Sequence, residues 1–205
     1  MTNLYFVRHG QTNANQARIF QGQIDTPLND TGRAQVLGAK QKVQELNIKW
    51  DVVITSPLLR AVETAEILNS LYPDIEIIKD PLAIERCFGK GDGVPITSEN
   101  YAKIMRCEFE GEESEQEIIS RANYFLNKVL AKYKNKNVLI VTHSHFLKGC
   151  FYRYIPDLTF ETKTVNAGIS LLQFNEKFEN TTNDMTNNGR LVVEEYSQGT
   201  TVLEN

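Results

Sequence analysis

Histidine is scarce in this chain: three residues in 205. Cysteine is equally scarce, with Cys87, Cys107 and Cys150 odd in number and lacking a CxxC pair. That excludes a disulfide framework and reads as reduced thiols, with the cytoplasm as the expected location. A basic surplus is absent too. The formal charge is −4 and the pI about 5.5, so no nucleic-acid partner is expected, and any bound phosphate should be small and held in a pocket. No apolar run approaches the roughly 18 residues of a membrane helix, and no membrane partner is expected. No basic region or cleavage site precedes Asn3–Val7, so no signal peptide is expected. Nothing in the sequence speaks to oligomeric state.

What is present is ordinary for a globular chain: 41% hydrophobic and 23% charged residues, with a length that suits one domain over 1–205. Short apolar runs alternate with helical periodicity. Leu4–Val7, Asp51–Ile54, Ile75–Ile78, Asn137–Thr142, Ile169–Phe174 and Arg190–Tyr196 read as strands. Thr31–Leu46, with Asp30 or Thr31 as cap, Leu58–Leu71, Ser114–Tyr133 and Phe146–Tyr154 read as helices. Gly89–Asn100 reads as a loop and Asn180–Gly189 as a turn. The alternation predicts an α/β fold, a three-layer α/β/α sandwich with a largely parallel central sheet.

All three histidines lie just past predicted strands: His9 in Arg8-His9-Gly10-Gln11-Thr12, and His143 and His145 in Val141-Thr142-His143-Ser144-His145. Ligands of parallel α/β sheets collect outside the carboxyl ends of strands. A lone histidine is usually structural; two strand-end histidines, one beside an arginine, point to an oxyanion site, because arginine offers a planar fork of donors. A third strand end leads into Ser56-Pro57-Leu58-Leu59-Arg60. Arg60 there faces either an anion at the helix N-terminus or a surface partner such as Glu63. His143 and His145 also raise a metal site, but positions i and i+2 of a strand face opposite ways and there is no HExxH. No metal and no cofactor are expected, and His145 is read as a helix-start or pocket-wall residue.

These blocks resemble the histidine phosphatase superfamily, also called phosphoglycerate mutase-like. Arg8-His9-Gly10-Gln11-Thr12-x-x-Asn15 is similar to its signature, followed by Gln21-Gly22, Asp25, Pro27-Leu28 and Gly32-Arg33. Ser56-Pro57 with Arg60-Ala61 and Thr64-Ala65, Leu82-x-x-Glu85-Arg86, Glu113-Ser114 with Arg121, and Val141-Thr142-His143 complete the order. The resemblance implies a phosphomonoester hydrolase acting on a small phosphate ester, with His9 as nucleophile forming phosphohistidine. It implies Arg8, Arg60 and His143 as the phosphate clamp, and Glu85 as the acid that protonates the leaving oxygen and then activates water. Asn15, Gln21, Gly22 and Ser144 would complete the substrate site. Ser144 stands where the family commonly has glycine, and Lys90-Gly91-Asp92-Gly93 lacks the aromatic that usually lines this loop.

Two other functions compete. A cofactor-dependent mutase would have an adjacent arginine pair between the acid and the second histidine; here Arg86, Arg106 and Arg121 stand apart. A non-catalytic phosphate-ligand or protein-binding module would have lost His9, Arg8, His143 or Glu85, and all four are present.

Overall fold

The computed structural model describes residues 1–174 and the backbone of 189–192. Its strands are β1 (Thr2–Arg8), β2 (Val52–Thr55), β3 (Ile77–Lys79), β4 (Asn137–Thr142), β5 (Ile169–Phe174) and β6 (Gly189–Val192). Its helices are α1 (Asn13–Gln16), α2 (Asp30–Glu45), α3 (Leu59–Asn69), α4 (Ser98–Met105), α5 (Glu115–Lys132) and α6 (Ser144–Phe151). The strands form one sheet in the order β3-β2-β4-β1-β5-β6. The first four are mutually parallel, and β5 runs antiparallel to both β1 and β6. The largely parallel α/β/α expectation holds. The expected turn at Asn180–Gly189 lies, apart from Gly189, outside the described residues, as does the end of the Arg190–Tyr196 strand.

The period-2 alternation of strand side chains builds the layers. Leu4, Phe6, Val138 and Ile140 face one core with Ile118, Phe125, Phe146 and Phe151 of α5 and α6. Val7, Val53, Leu139 and Val141 face the other, with Val36, Val43, Ala61 and Leu68 of α2 and α3. Ser114 caps α5 in a capping box with Glu117. The cap of α2 is Asn29, which accepts from Gly32 N–H at 2.8 Å, so the helix starts at Asp30.

Other boundaries shift as well: the strand expected at Ile75–Ile78 is β3, Ile77–Lys79. The Gly89–Asn100 loop ends earlier, because Thr97 caps α4 by accepting from Asn100 N–H. Helix α6 begins at Ser144 rather than Phe146. Its N-terminal donors are satisfied from a distant segment, which a search for local caps cannot see.

Register then positions the site. Arg8 pairs with Thr142, while Val141 pairs with both Val7 and Thr55. The residues leaving β1, β4 and β2 therefore stand side by side: His9, His143 and Ser56. Thr142 Oγ1 donates to Ala83 O at 2.7 Å, which ties the segment leading to Glu85 over the end of β4.

Candidate active site

His9 is 3% exposed. Its Nδ1 lies 2.7 Å from Gly10 O, an acceptor, and its Nε2 lies 3.3 Å from Arg60 Nε, which can only donate. The two contacts together require the proton on Nδ1 and leave Nε2 with a lone pair. Burial holds the His9 pKa well below its ordinary 6.5, and the charges of Arg60 and Arg8 lower it further. The ring is a neutral base with Nε2 as its basic atom. Gly10 is required by close approach: a Cβ there would lie 2.5 Å from Gly32 O at the start of α2.

Arg60 is buried and does not pair with Glu63, which binds Arg33 instead. Its Nη2 donates to Gly22 O at 2.8 Å and its Nη1 to Ile24 O at 2.7 Å. Asp25 reaches back to accept from Leu59 N–H, so the 22–25 turn is stitched to the first turn of α3. Gly22 has φ +45, and a Cβ would strike the Asp92 carboxylate. Desolvation lowers the Arg60 pKa to about 10, so the guanidinium stays charged. Arg8 Nη1 donates to Thr164 O at 2.6 Å, and its buried Nε has no partner among the described residues.

His143 lies fully buried behind His9, their ring centroids 5.1 Å apart. Its Nε2 is 2.7 Å from Ser56 Oγ, and its Nδ1 has no partner among the described residues. Glu85, 7% exposed, supplies the missing cap of α6: Oε1 accepts from His145 N–H at 3.0 Å, Phe146 N–H at 3.2 Å and Arg86 N–H at 2.9 Å. Oε2 keeps only a longer contact to His145 N–H, 3.3 Å. Arg121 braces this segment. It donates to Leu82 O and Ile84 O and forms a two-pronged ion pair with Glu113, which also accepts from Cys87 N–H.

Eight of the nine residues singled out from sequence (Arg8, His9, Asn15, Gln21, Gly22, Arg60, Glu85 and Ser144) line one cavity of about 740 Å³. His143 is the exception, one layer deeper. Gln21 Oε1 accepts from Thr12 and Thr26, Asn15 Oδ1 accepts from Thr12 N–H, and Ser144 Oγ meets Thr164 Oγ1 at 2.8 Å. His145 is both helix start and cavity wall, its ring packed against Phe88 and Phe160. The same wall contains Phe88, which continues the acid segment, and residues the sequence did not flag: Phe20, Tyr101, Lys148 and Thr164. The aromatic lining absent from Lys90–Gly93 thus comes from other segments. Tyr101 had a signal in the Thr97 cap; Thr164 had none. Among the described residues no group of three His, Cys, Asp or Glu is placed to hold a metal, and no helix is long and apolar enough to cross a membrane.

Two histidines, two arginines and a helix-capping glutamate thus gather at the ends of parallel strands. The family model of the histidine phosphatase superfamily (branch 1) matches residues 4–184, so the chain belongs to that superfamily and is an enzyme of its phosphatase class. It is 36% identical over 180 residues to the uncharacterized phosphatase PhoE of Bacillus subtilis (strain 168), covering 86% of this chain and 91% of that protein. It is 26% identical over 188 residues to a metal-independent phosphoserine phosphatase of Arabidopsis thaliana, covering 86% and 78%. The structure of phosphoserine phosphatase from Entamoeba histolytica in complex with phosphoserine has the same fold, with a TM-score of 0.78, 22% identity and coverage of 97% and 98%.

Proposed function

We propose that the protein hydrolyses small phosphomonoesters through a phosphohistidine on His9, without a metal. The observation that carries this reading is the fixed His9 tautomer: Nδ1–H is tied to Gly10 O, and a neutral Nε2 faces the buried guanidinium of Arg60. In the first step the Nε2 lone pair attacks phosphorus in line. The P–O ester bond breaks, and its electrons pass to the leaving oxygen, which takes a proton from Glu85. In the second step water attacks the phosphohistidine and gives its proton to the Glu85 carboxylate. The P–N bond then breaks, returning the electron pair to Nε2 and releasing inorganic phosphate.

Positioning and positive charge supply most of the catalysis in such a transfer. Arg8 and Arg60 provide the charge, and the phosphoryl oxygens replace His9 as partner of Arg60 Nε–H. Ser56 Oγ accepts from Leu58 N–H, so its own proton is free to go to His143 Nε2. With Nε2 accepting, His143 Nδ1–H is a donor without a partner among the described residues. Asn15, Gln21, Gly22 and Ser144 shape the oxyanion end. The Arabidopsis relative's metal independence is consistent with a site whose cations are side chains.

The test is turnover of p-nitrophenyl phosphate, with and without vanadate and excess EDTA, followed by quenching to trap an acid-labile, base-stable phosphoprotein. Expected are hydrolysis inhibited by vanadate, insensitivity to EDTA, and loss of both label and turnover, by orders of magnitude, in His9→Ala. Near-normal activity of His9→Ala overturns the reading. Supplying 3-phosphoglycerate with catalytic 2,3-bisphosphoglycerate separates hydrolysis from transfer. Isomerisation exceeding phosphate release about ten-fold, a barrier difference of roughly 1.4 kcal/mol, would make the enzyme a mutase.

A further inference from the structure

Arg8 and Arg60 line the cavity together with His9, but their guanidinium groups are anchored differently. Arg60 donates through both Nη atoms to the carbonyls of Gly22 and Ile24, at 2.8 and 2.7 Å, and keeps only Nε–H for His9 or a phosphoryl oxygen. Arg8 is anchored on one side alone. Its Nη1 donates to Thr164 O at 2.6 Å and to Thr164 Oγ1 at 3.3 Å, two acceptors on one residue for the two N–H groups of that nitrogen. Its Nε is buried without a partner among the described residues, and Nη2 has no hydrogen bond there either.

In a planar guanidinium Nε–H and the neighbouring Nη2–H point the same way, a fork that two oxygens of one phosphate match. Thr164 therefore selects which edge of Arg8 stays open. Thr164 is itself held: its Oγ1 meets Ser144 Oγ at 2.8 Å. Ser144 opens α6 where the superfamily commonly has glycine, which has no hydroxyl to offer. Two residues beyond Thr164, Asn166 Nδ2 donates to His9 O at 3.0 Å, and Ala167 N–H donates to Arg8 O at 2.9 Å. The connection into β5 thus grips the Arg8 side chain and the backbone of both Arg8 and His9.

We propose that Thr164 is a positioning residue for phosphoryl transfer, turning the Nε–Nη2 edge of Arg8 toward the phosphoryl group, and that the Ser144 hydroxyl acts through Thr164 rather than on the substrate. The proposal rests on the reading of this cavity as the phosphoryl-transfer site. An arginine side chain without an anchor samples several rotamers, and a misaimed fork loses one of its two oxygens. That loss falls chiefly on the transition state, where charge spreads over the equatorial oxygens. Arg60 needs no such residue, because two backbone carbonyls fix it.

The experiment measures binding of orthovanadate, a mimic of the transferring phosphoryl group, by calorimetry, alongside kcat and KM for p-nitrophenyl phosphate. A dissociation constant does not follow the fraction of folded enzyme and is read even where no ester turns over. Thr164→Val should raise the vanadate dissociation constant about 10-fold, the lower end for a hydrogen bond to a charged group, with kcat falling similarly and KM changing less. Thr164→Ser, which keeps the hydroxyl, should retain near-wild-type binding. Ser144→Ala should weaken binding several-fold alone and add nothing in Thr164→Val. In Arg8→Lys, which has no fork to aim, Thr164→Val should have no further effect. Unchanged vanadate binding in Thr164→Val, or a loss that persists in full in Arg8→Lys, overturns the proposal. Additive losses for Ser144→Ala and Thr164→Val also overturn it, placing the serine hydroxyl on the phosphate itself. Where Thr164→Val does not fold, Ser144→Ala decides: wild-type vanadate affinity in that variant overturns the proposal. Absence of turnover, with vanadate bound and its dependence on Thr164 intact, overturns the hydrolase reading alone. If the wild type does not bind vanadate, both fall.

Discussion

At the buried end of the cavity, Arg8, His9 and Arg60 sit on segments that continue directly from β1 and β2, and His143 follows β4 in the same way. At the rim, Phe20, Tyr101, Lys148 and Thr164 come from a loop, a short helix, the middle of α6 and the connection to β5. The first group is positioned by ladder hydrogen bonds whose register brings Arg8 opposite Thr142 and Val141 opposite Thr55. The second is positioned by single contacts across long sequence separations, such as Tyr101 O–H and Lys148 Nζ meeting at Phe160 O. A sheet tolerates little displacement, because a slip of one residue turns every side chain to the other face. Contacts between loops carry no such penalty. On the proposed mechanism, the chemistry is placed where the fold is least adjustable, and contacts to the rest of the substrate where it is most adjustable.

The sharpest way to break this contrast is at Glu85, which caps α6 and, in the proposed mechanism, protonates the leaving group. Glu85→Gln keeps the cap but cannot donate a proton. Hydrolysis of alkyl phosphates should fall by about 10²- to 10⁴-fold, the usual range for general acid catalysis, and that of p-nitrophenyl phosphate by much less. Equal losses on both, measured as kcat across a leaving-group series, would make Glu85 a positioning residue only.

A smaller effect is expected at the rim. Tyr101→Ala removes the hydrogen bond to Phe160 O and part of the aromatic wall with Phe20 and Phe88. KM for bulky esters should rise by several-fold while kcat changes less, as for a group that binds ground and transition states alike. A kcat loss that matches the loss in kcat/KM would move Tyr101 from the rim to the chemistry.

The smallest effect separates the two ends by protonation. His9, His143 and His145 are all held well below an ordinary histidine pKa of 6.5, in each case chiefly by burial. Their ring nitrogen resonances should therefore not titrate between pH 8 and 6, and His9 should report the proton on Nδ1. Unfolding frees each ring to bind a proton near pH 6.5, so below that pH the unfolded chain binds more protons than the native one. Stability is full above 6.5 and declines as pH falls below it, which a series of urea unfolding curves would show. A ring shift with a midpoint near 6.5 at His9 would mean that the buried end is wetter than its packing implies.

Much of this architecture was legible in the residues. Asn137–Thr142 and Ile169–Phe174 coincide with β4 and β5, and Ser114 with Glu117 marks the start of α5. The start of α6 was misplaced by two residues because its cap is Glu85, nearly sixty positions away in sequence, and a local scan looks only at neighbours. Helix α4 went unread because it has only eight residues, about two turns, too few for a helical period to stand out from the loop before it. Glu85 itself looked like any surface carboxylate; only its resemblance to a family segment singled it out.

By itself the sequence determined the alternation of strand and helix, the layers each strand residue faces, and the presence of histidine and arginine just past strand ends. Those features depend on side-chain period and on groups within about four residues of one another. Only the tertiary structure decided that β4 lies between β1 and β2, that His143 is fully buried 5.1 Å from the His9 ring and outside the cavity lining, that Glu85 closes the end of α6, and that Lys148 turns into the cavity. Each of these requires segments far apart in the chain to meet, and the partner that satisfies a buried charge or an orphan N–H is chosen by that meeting.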